Sequence, residues 1–94
     1  MTIFGFAEAM SEELYRNRDK GGWGHCSLDY LLNRAGQELR ELRTAIRDSR
    51  SPEEVLSEAA DVANFCMMIA ENYAARFEQI KEENTEAMRE RQTE

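Results

Sequence analysis

The chain has 94 residues, of which 41% are hydrophobic and 33% are charged, a composition typical of one small globular domain. Its formal net charge of -7 argues against a nucleic-acid partner, because tracking a phosphate backbone requires clustered lysine and arginine. A domain this short leaves much of its apolar surface uncovered unless it folds very economically or associates with copies of itself.

No stretch of the sequence has the length and apolar character of a transmembrane helix. The most apolar run, residues 62–70, contains Asn64 and is far shorter than the roughly 20 residues that a bilayer requires. The opening residues MTIFGFAEAMSEEL carry neither a basic leader nor a cleavage pattern. Cys26 and Cys66 stand far apart and in no metal-type spacing. We therefore expect a cytoplasmic protein with two free thiols and no membrane partner.

Two amphipathic helices are predicted in the first half of the chain. The first runs from Thr2 to about Arg18, where apolar residues recur at three- and four-residue steps, and the glycine-rich segment KGGWGH ends it. The second runs from Ser27, a suitable cap, to about Ser49. Its apolar stripe consists of Leu28, Leu31, Leu32, Ala35, Leu39, Leu42 and Ile46.

A third helix has a clear start and no clear stop. In the segment SPEE, Ser51 can cap the helix, Pro52 suits its first position and Glu54 completes a capping box. We assign this helix to residues 52–73. Neither proline nor glycine follows, so residues 74–92 either form a fourth helix or extend the third to about residue 90. The tail from Glu82 is mostly polar and is expected to fray.

These tracts predict one all-α domain, residues 1–94, folded as an antiparallel helical bundle. No alternation of period two indicates a strand. The core of such a bundle is expected to be completed by self-association, because three helices cannot enclose a helix that is apolar almost all round.

Acidic side chains lie in the most apolar part of the sequence, the segment EAADVANFCMMIA at residues 58–70. A helix advances about 100° per residue, which places Glu58 and Asp61 against Phe65 within an apolar arc. Asn64 follows Asp61 at the next three-residue step. Burying an ionised carboxylate without a partner is costly, so each must become protonated or find a cation.

The second helix offers another carboxylate pair. Glu38 lies at the edge of its apolar arc, and Glu41, three residues on, can present its oxygens to the same point. The short turn after this helix would bring the pair opposite Glu58 and Asp61. Unit charges about 4 Å apart repel by roughly 4 kcal/mol at an effective dielectric near 20, so four carboxylates need a compensating ion. An all-oxygen site suits Mg²⁺, which commonly binds substrate phosphates as well.

Simpler explanations remain open for these residues. A pair of glutamates among arginines is usually a solvated helix face, here with Arg34 and Arg40 as partners. A buried carboxylate in the third helix could be neutralised across the hairpin by Arg34 or Arg43. In the glycine-rich loop, Trp23 and Lys20 could stack on a base and contact phosphate, or the tryptophan could plug the end of the bundle.

The segments GGW, SLDYLLNRAGQELREL and SEAADVANFCMMIAEN closely resemble the MazG-like group of all-α nucleoside triphosphate pyrophosphohydrolases, from about residue 20 to residue 72. An E-x-x-E and an E-x-x-D pattern with 16 residues between them is the metal signature of that family. The resemblance implies a Mg²⁺-dependent enzyme, with Mn²⁺ as the alternative ion. It would cleave a ribo- or deoxynucleoside triphosphate to the monophosphate and pyrophosphate, in nucleotide-pool house-cleaning, as a homodimer or homotetramer.

The resemblance also implies residue roles. The catalytic metal ligands would be Glu38, Glu41, Glu58 and Asp61, and the substrate contacts would be Asn64, Lys20 and Asn72 near phosphate or sugar and Trp23 near the base. The family often has two adjacent glutamates at the first pair, whereas Gln37 precedes Glu38 here, so one or two metal ions remain possible. The alternatives are a non-catalytic helical oligomerisation or partner-binding module and a related phosphoribosyl-nucleotide pyrophosphohydrolase.

Overall fold

The computed structural model describes residues 1–92. Within that range the chain forms three α-helices, α1 (Ile3–Arg16), α2 (Leu28–Arg47) and α3 (Pro52–Gln92), and one short 3-10 helix, Arg18–Lys20. The predicted all-α fold class is confirmed for these residues. Among them, no helix combines the length and the apolar character that crossing a bilayer demands.

Each α-helix begins at a hydroxyl side chain that accepts a backbone N–H from three residues further on. The oxygen–nitrogen distance is 3.0 Å for Thr2, 3.1 Å for Ser27 and 3.2 Å for Ser51. Such a cap typically stabilises a helix by about 1 kcal/mol. Ser27 and Ser51 therefore cap α2 and α3 as the sequence predicts.

A tight turn at Ser49 reverses the chain between α2 and α3. Ser49 has φ 54°, in the left-handed region. Its N–H donates to the carbonyl of Ile46 at 3.1 Å, and the N–H of Arg50 donates to the carbonyl of Ala45 at 3.0 Å. These two bonds form a Schellman motif, which satisfies the last carbonyls of α2. The turn lays α2 and α3 against each other, while α1 packs on α3 from another side.

The third helix is longer than the sequence analysis assigned. It continues without a break from Pro52 to Gln92, and its 41 residues give it a length of about 60 Å. Residues 74–92 therefore extend the third helix and do not form a fourth one, and the expected fraying from Glu82 is not seen. Every side chain of residues 73–91, which we name the C-terminal arm, is exposed.

The apolar core of a single chain is small. Only Leu31, Ala45 and Ala60 are fully buried hydrophobic residues among those described. In a single chain, Cys66 and Met67 of the third helix are exposed. Large apolar side chains also remain exposed on α2 and α3: Leu32, Leu39, Ile46, Tyr73, Phe77, Ile80 and Met88. One chain by itself thus leaves substantial apolar surface in water, and its self-association stays a prediction.

Candidate metal and substrate site

The antiparallel packing of α2 on α3 brings three carboxylates together. One oxygen from each of Glu38, Glu58 and Asp61 lies within 4.8 Å of the other two. We name these residues the carboxylate group. Glu38 is only 6% exposed, and Oε2 of Glu58 is buried without a hydrogen-bond partner among the described residues. Oxygens bound to one Mg²⁺ lie about 3–4 Å apart, so small side-chain rotations would let the group hold one such ion.

Burial raises the pKa of every member of the carboxylate group. The pKa of Asp61 is raised to about 7, mainly by desolvation and then by the charge of Glu13. Desolvation followed by the charge of Glu41 raises the pKa of Glu58. For Glu38, burial again comes first, and a hydrogen bond with Glu41 adds to the rise in pKa. At neutral pH Asp61 is therefore partly protonated, and a bound cation would displace its proton.

Arg34 pairs within its own helix and not across the hairpin. Its Nη2 lies 2.8 Å from Oε1 of Glu38, and its guanidinium carbon lies 5.1 Å from the centroid of the Phe65 ring. This cation lowers the pKa of Glu38 without outweighing burial and Glu41. The arginine explanation therefore accounts for one oxygen of Glu38 and leaves the buried oxygen of Glu58 without a partner.

Glu41 borders the carboxylate group on its solvent side. The residue is exposed, its carboxyl shares a hydrogen bond with Glu38, and its charge raises the pKa of Glu58. The structure thus places all four acidic residues of the predicted metal signature in one neighbourhood. Three of them form the tight group, and the fourth lies at its edge.

Glu13 is an acidic residue at this site that the sequence analysis missed. It is 7% exposed, accepts a hydrogen bond from the hydroxyl of Ser57, and forms an ion pair of 2.5 Å with Arg16. It also shares a hydrogen bond with Asp61. A signal was present, because Glu13 stands three residues after Met10 and so falls on the apolar face of the first helix. The sequence analysis considered only the apolar residues of that face and therefore overlooked Glu13.

Asn64 is 3% exposed and connects α3 to α1. Its Nδ2 donates to the backbone carbonyl of Met10 at 2.9 Å. Its Oδ1 is buried and has no hydrogen-bond partner among the described residues, while the residue lines a cleft beside the carboxylate group. Asn64 therefore contributes an unused hydrogen-bond acceptor at this position.

A cleft of about 700 Å³ joins the acidic residues to the glycine-rich loop. This volume is within the range of small-molecule sites. Its acidic lining consists of Glu13, Glu38, Glu41 and Asp61, and its lining from the loop side consists of Arg18, Lys20, Gly21, Gly22, Trp23 and Cys26. The predicted substrate residues Lys20, Trp23 and Asn64 thus share one cleft with three of the four predicted metal ligands.

Two side chains of α3 fasten the loop. Nδ2 of Asn72 donates to the backbone carbonyls of Trp23 at 2.9 Å and of Cys26 at 3.1 Å. The indole N–H of Trp23 donates to Oε2 of Glu71 at 3.1 Å. Gly21 has φ 84°, a conformation that favours glycine. The amide of Asn72 thus holds the loop in place, and its contact with phosphate or sugar stays a prediction. Trp23 lines the cleft while anchored to α3, which is compatible with both explanations of that residue.

Comparisons of the chain with protein-family models, with curated proteins and with solved structures found no match. The likeness of its motifs to the MazG-like family accordingly stays a prediction.

Proposed function

We propose that the protein is a MazG-like, Mg²⁺-dependent pyrophosphohydrolase that cleaves a ribo- or deoxynucleoside triphosphate to the monophosphate and pyrophosphate. The carboxylate group, with its buried and unpartnered oxygen on Glu58, is the observation that carries this proposal. The cleft beside it supports the choice of substrate, because Lys20 and Trp23 line the same space.

The donor set of the carboxylate group fits a hard divalent cation. All its atoms are carboxylate oxygens, which suit Mg²⁺ and also Mn²⁺. Glu41, at the rim, would serve as the fourth ligand. A bound Mg²⁺ would neutralise the carboxylates and polarise a phosphoryl oxygen. The raised pKa values of Glu58 and Asp61 follow from their burial beside other carboxylates, and a cation relieves that repulsion.

The other cleft residues suit the remaining parts of a nucleotide. The ammonium of Lys20 would pair with phosphate oxygens, and the Trp23 ring would stack on the base. The free Oδ1 of Asn64 can only accept a hydrogen bond, so its partner would be a sugar hydroxyl or a water and not a phosphate oxygen.

Glu13 is the candidate to orient the attacking water. A carboxylate that is not a metal ligand can act as the general base. Glu13 lies next to Asp61, outside the carboxylate group, and Arg16 and Ser57 hold it in position. It would thereby supply the additional carboxylate that the family often has where this chain has Gln37. The attack would take place at the α-phosphorus.

A substrate panel tests this function. The wild-type protein is incubated with Mg²⁺ and each common NTP and dNTP, and pyrophosphate and orthophosphate are measured separately. We expect pyrophosphate with at least one nucleotide, and we expect the Asp61→Asn variant to lose this activity while keeping its helical circular dichroism. Glu82→Gln, which removes one charge from the exposed part of the same helix, is the matched control and should retain activity. Orthophosphate as the product, or full activity in Asp61→Asn, would refute the proposal.

The exposed apolar residues on α2 and α3 favour a second candidate, a non-catalytic helical module that binds a partner. A correctly folded protein without turnover of any nucleotide would support that module. A phosphoribosyl-nucleotide included in the same panel separates the remaining alternative, a related pyrophosphohydrolase.

A further inference from the structure

The C-terminal arm carries large apolar side chains that nothing in its own chain covers. Tyr73 is 58% exposed, Phe77 is 54% exposed and Ile80 is 47% exposed. The arm continues α3, but its exposed side chains add no packing of their own, and most helical stability in proteins comes from such packing. The arm therefore has both the need for a partner and the apolar surface to bind one.

The spacing of these residues is that of a coiled coil. Tyr73, Phe77, Ile80, Asn84 and Ala87 follow one another at steps of four, three, four and three residues, and we name this line the seam. The same steps continue backwards to the exposed Ala70 and Cys66. A period of about 3.5 residues keeps one side of a helix against another helix over several turns. The seam is thus shaped for a helical partner.

We propose that this partner is the arm of a second copy, which lies antiparallel to the first in a two-stranded coiled coil. In the register that centres the pair between Phe77 and Ile80, each Phe77 packs against Ile80 of the second copy. The same register sets Tyr73 opposite Asn84 of the second copy, where the phenol and the amide can form a hydrogen bond within the seam.

The charges beside the seam favour a second copy as the partner and an antiparallel orientation of the two arms. Arg76 and Glu83 flank the seam on the same side, and both are exposed. They stand seven residues apart, too far to contact each other within one helix. The antiparallel register places each Arg76 opposite Glu83 of the other copy, and the two-fold axis makes this contact twice. A parallel pair would instead place Arg76 against Lys81 of the other copy, a repulsive contact.

Charge reversal in the full chain tests this pairing by sedimentation equilibrium. Arg76→Glu alone and Glu83→Arg alone each bring like charges together at both contacts. We expect either change to raise the dimer dissociation constant about tenfold. The double variant restores opposite charges and should return the constant to within about threefold of wild type. Because the two residues do not meet within one chain, rescue can only come from a contact between copies.

Matched controls separate the seam from general charge effects. Arg89→Glu and Glu82→Arg make the same changes in net charge on the face of the helix opposite the seam. Both should leave the dissociation constant unchanged. Phe77→Glu, within the seam, should abolish the dimer, while the near-ultraviolet signal of Trp23 shows that the rest of the chain remains folded.

A wild-type protein that stays monomeric up to about 1 mM would refute the antiparallel pairing of two arms. Tighter association of Arg76→Glu would also overturn it, because that result indicates parallel arms. A double variant that is no better than its two single variants, or a dimer that survives Phe77→Glu, would place the contact elsewhere. The inference depends only on the arm, so none of these outcomes bears on the proposed nucleotide chemistry.

Discussion

Asp61 lies where its ionised form is disfavoured. Its ordinary pKa is 3.8, and desolvation together with the charges of neighbouring carboxylates, first that of Glu13, raises the value to about 7. The folded protein therefore binds this proton more tightly than the unfolded chain does. The stabilisation is fully present below the ordinary pKa and is lost as the pH rises through about 7.

The loss of this stabilisation with rising pH gives a prediction for thermal stability. Without metal, the melting temperature of the wild-type protein should fall between pH 5 and pH 8 relative to that of Asp61→Asn, whose amide does not ionise. Added Mg²⁺ should raise the wild-type melting temperature more at pH 8 than at pH 6, because fewer protons then compete for the carboxylates. Thermal unfolding in chelator and in Mg²⁺ measures both effects. Parallel curves for the two proteins at every pH would show that Asp61 is not the group responsible.

The position of a side chain around its helix could be predicted from the sequence, because it depends only on helical periodicity. Glu58 and Asp61 could be assigned to an apolar arc because their positions depend only on the turn of one helix. Glu13 reaches them from another helix, and the loop carbonyls that hold Asn72 depend on the folded path of residues 20–26. Such partners are set by tertiary packing, which periodicity does not encode.

The turn between α2 and α3 sets how these two helices pack at the site. Ser49 adopts φ 54° at the position of a Schellman motif where glycine is usual. A residue with a side chain pays a steric penalty in that conformation, and glycine does not.

Ser49→Gly should therefore stabilise the protein by about 0.5–1 kcal/mol in chemical denaturation. Ser51→Ala is the contrasting change two residues on. It removes the hydroxyl that caps α3 and should destabilise by about 1 kcal/mol. A destabilising Ser49→Gly would mean that Ser49 makes a favourable interaction that outweighs its backbone strain.

Helix starts were easier to predict than helix ends. Ser27 and the SPEE segment carry their own capping chemistry, so local sequence determines where α2 and α3 begin. No proline or glycine ends α3, and its polar tail suggested fraying from Glu82. The helix nevertheless continues to Gln92. The proposed association of two arms would stabilise this extension, and that contribution lies outside a single chain.

For the whole molecule, metal binding and folding are expected to be coupled. The site is assembled from three helices, with Glu13 from α1, Glu38 from α2 and both Glu58 and Asp61 from α3. The small apolar core must hold these like charges together. A ligand that binds only the folded state stabilises it by mass action, and so does a second copy. The all-α class followed from the sequence, whereas the meeting of carboxylates from three helices requires the three-dimensional arrangement.

A calorimetric titration of the protein with Mg²⁺ at pH 7, repeated in buffers of different ionisation enthalpy, tests the proposed cation site most directly. We predict saturable binding at the carboxylate group accompanied by proton release, because the pKa of Asp61, raised to about 7, leaves a proton for the cation to displace. Glu58→Gln should abolish this binding, and Glu82→Gln should preserve it. Absence of Mg²⁺ binding by the wild-type protein, or equal binding by Glu58→Gln, would show that these buried carboxylates do not form a cation site.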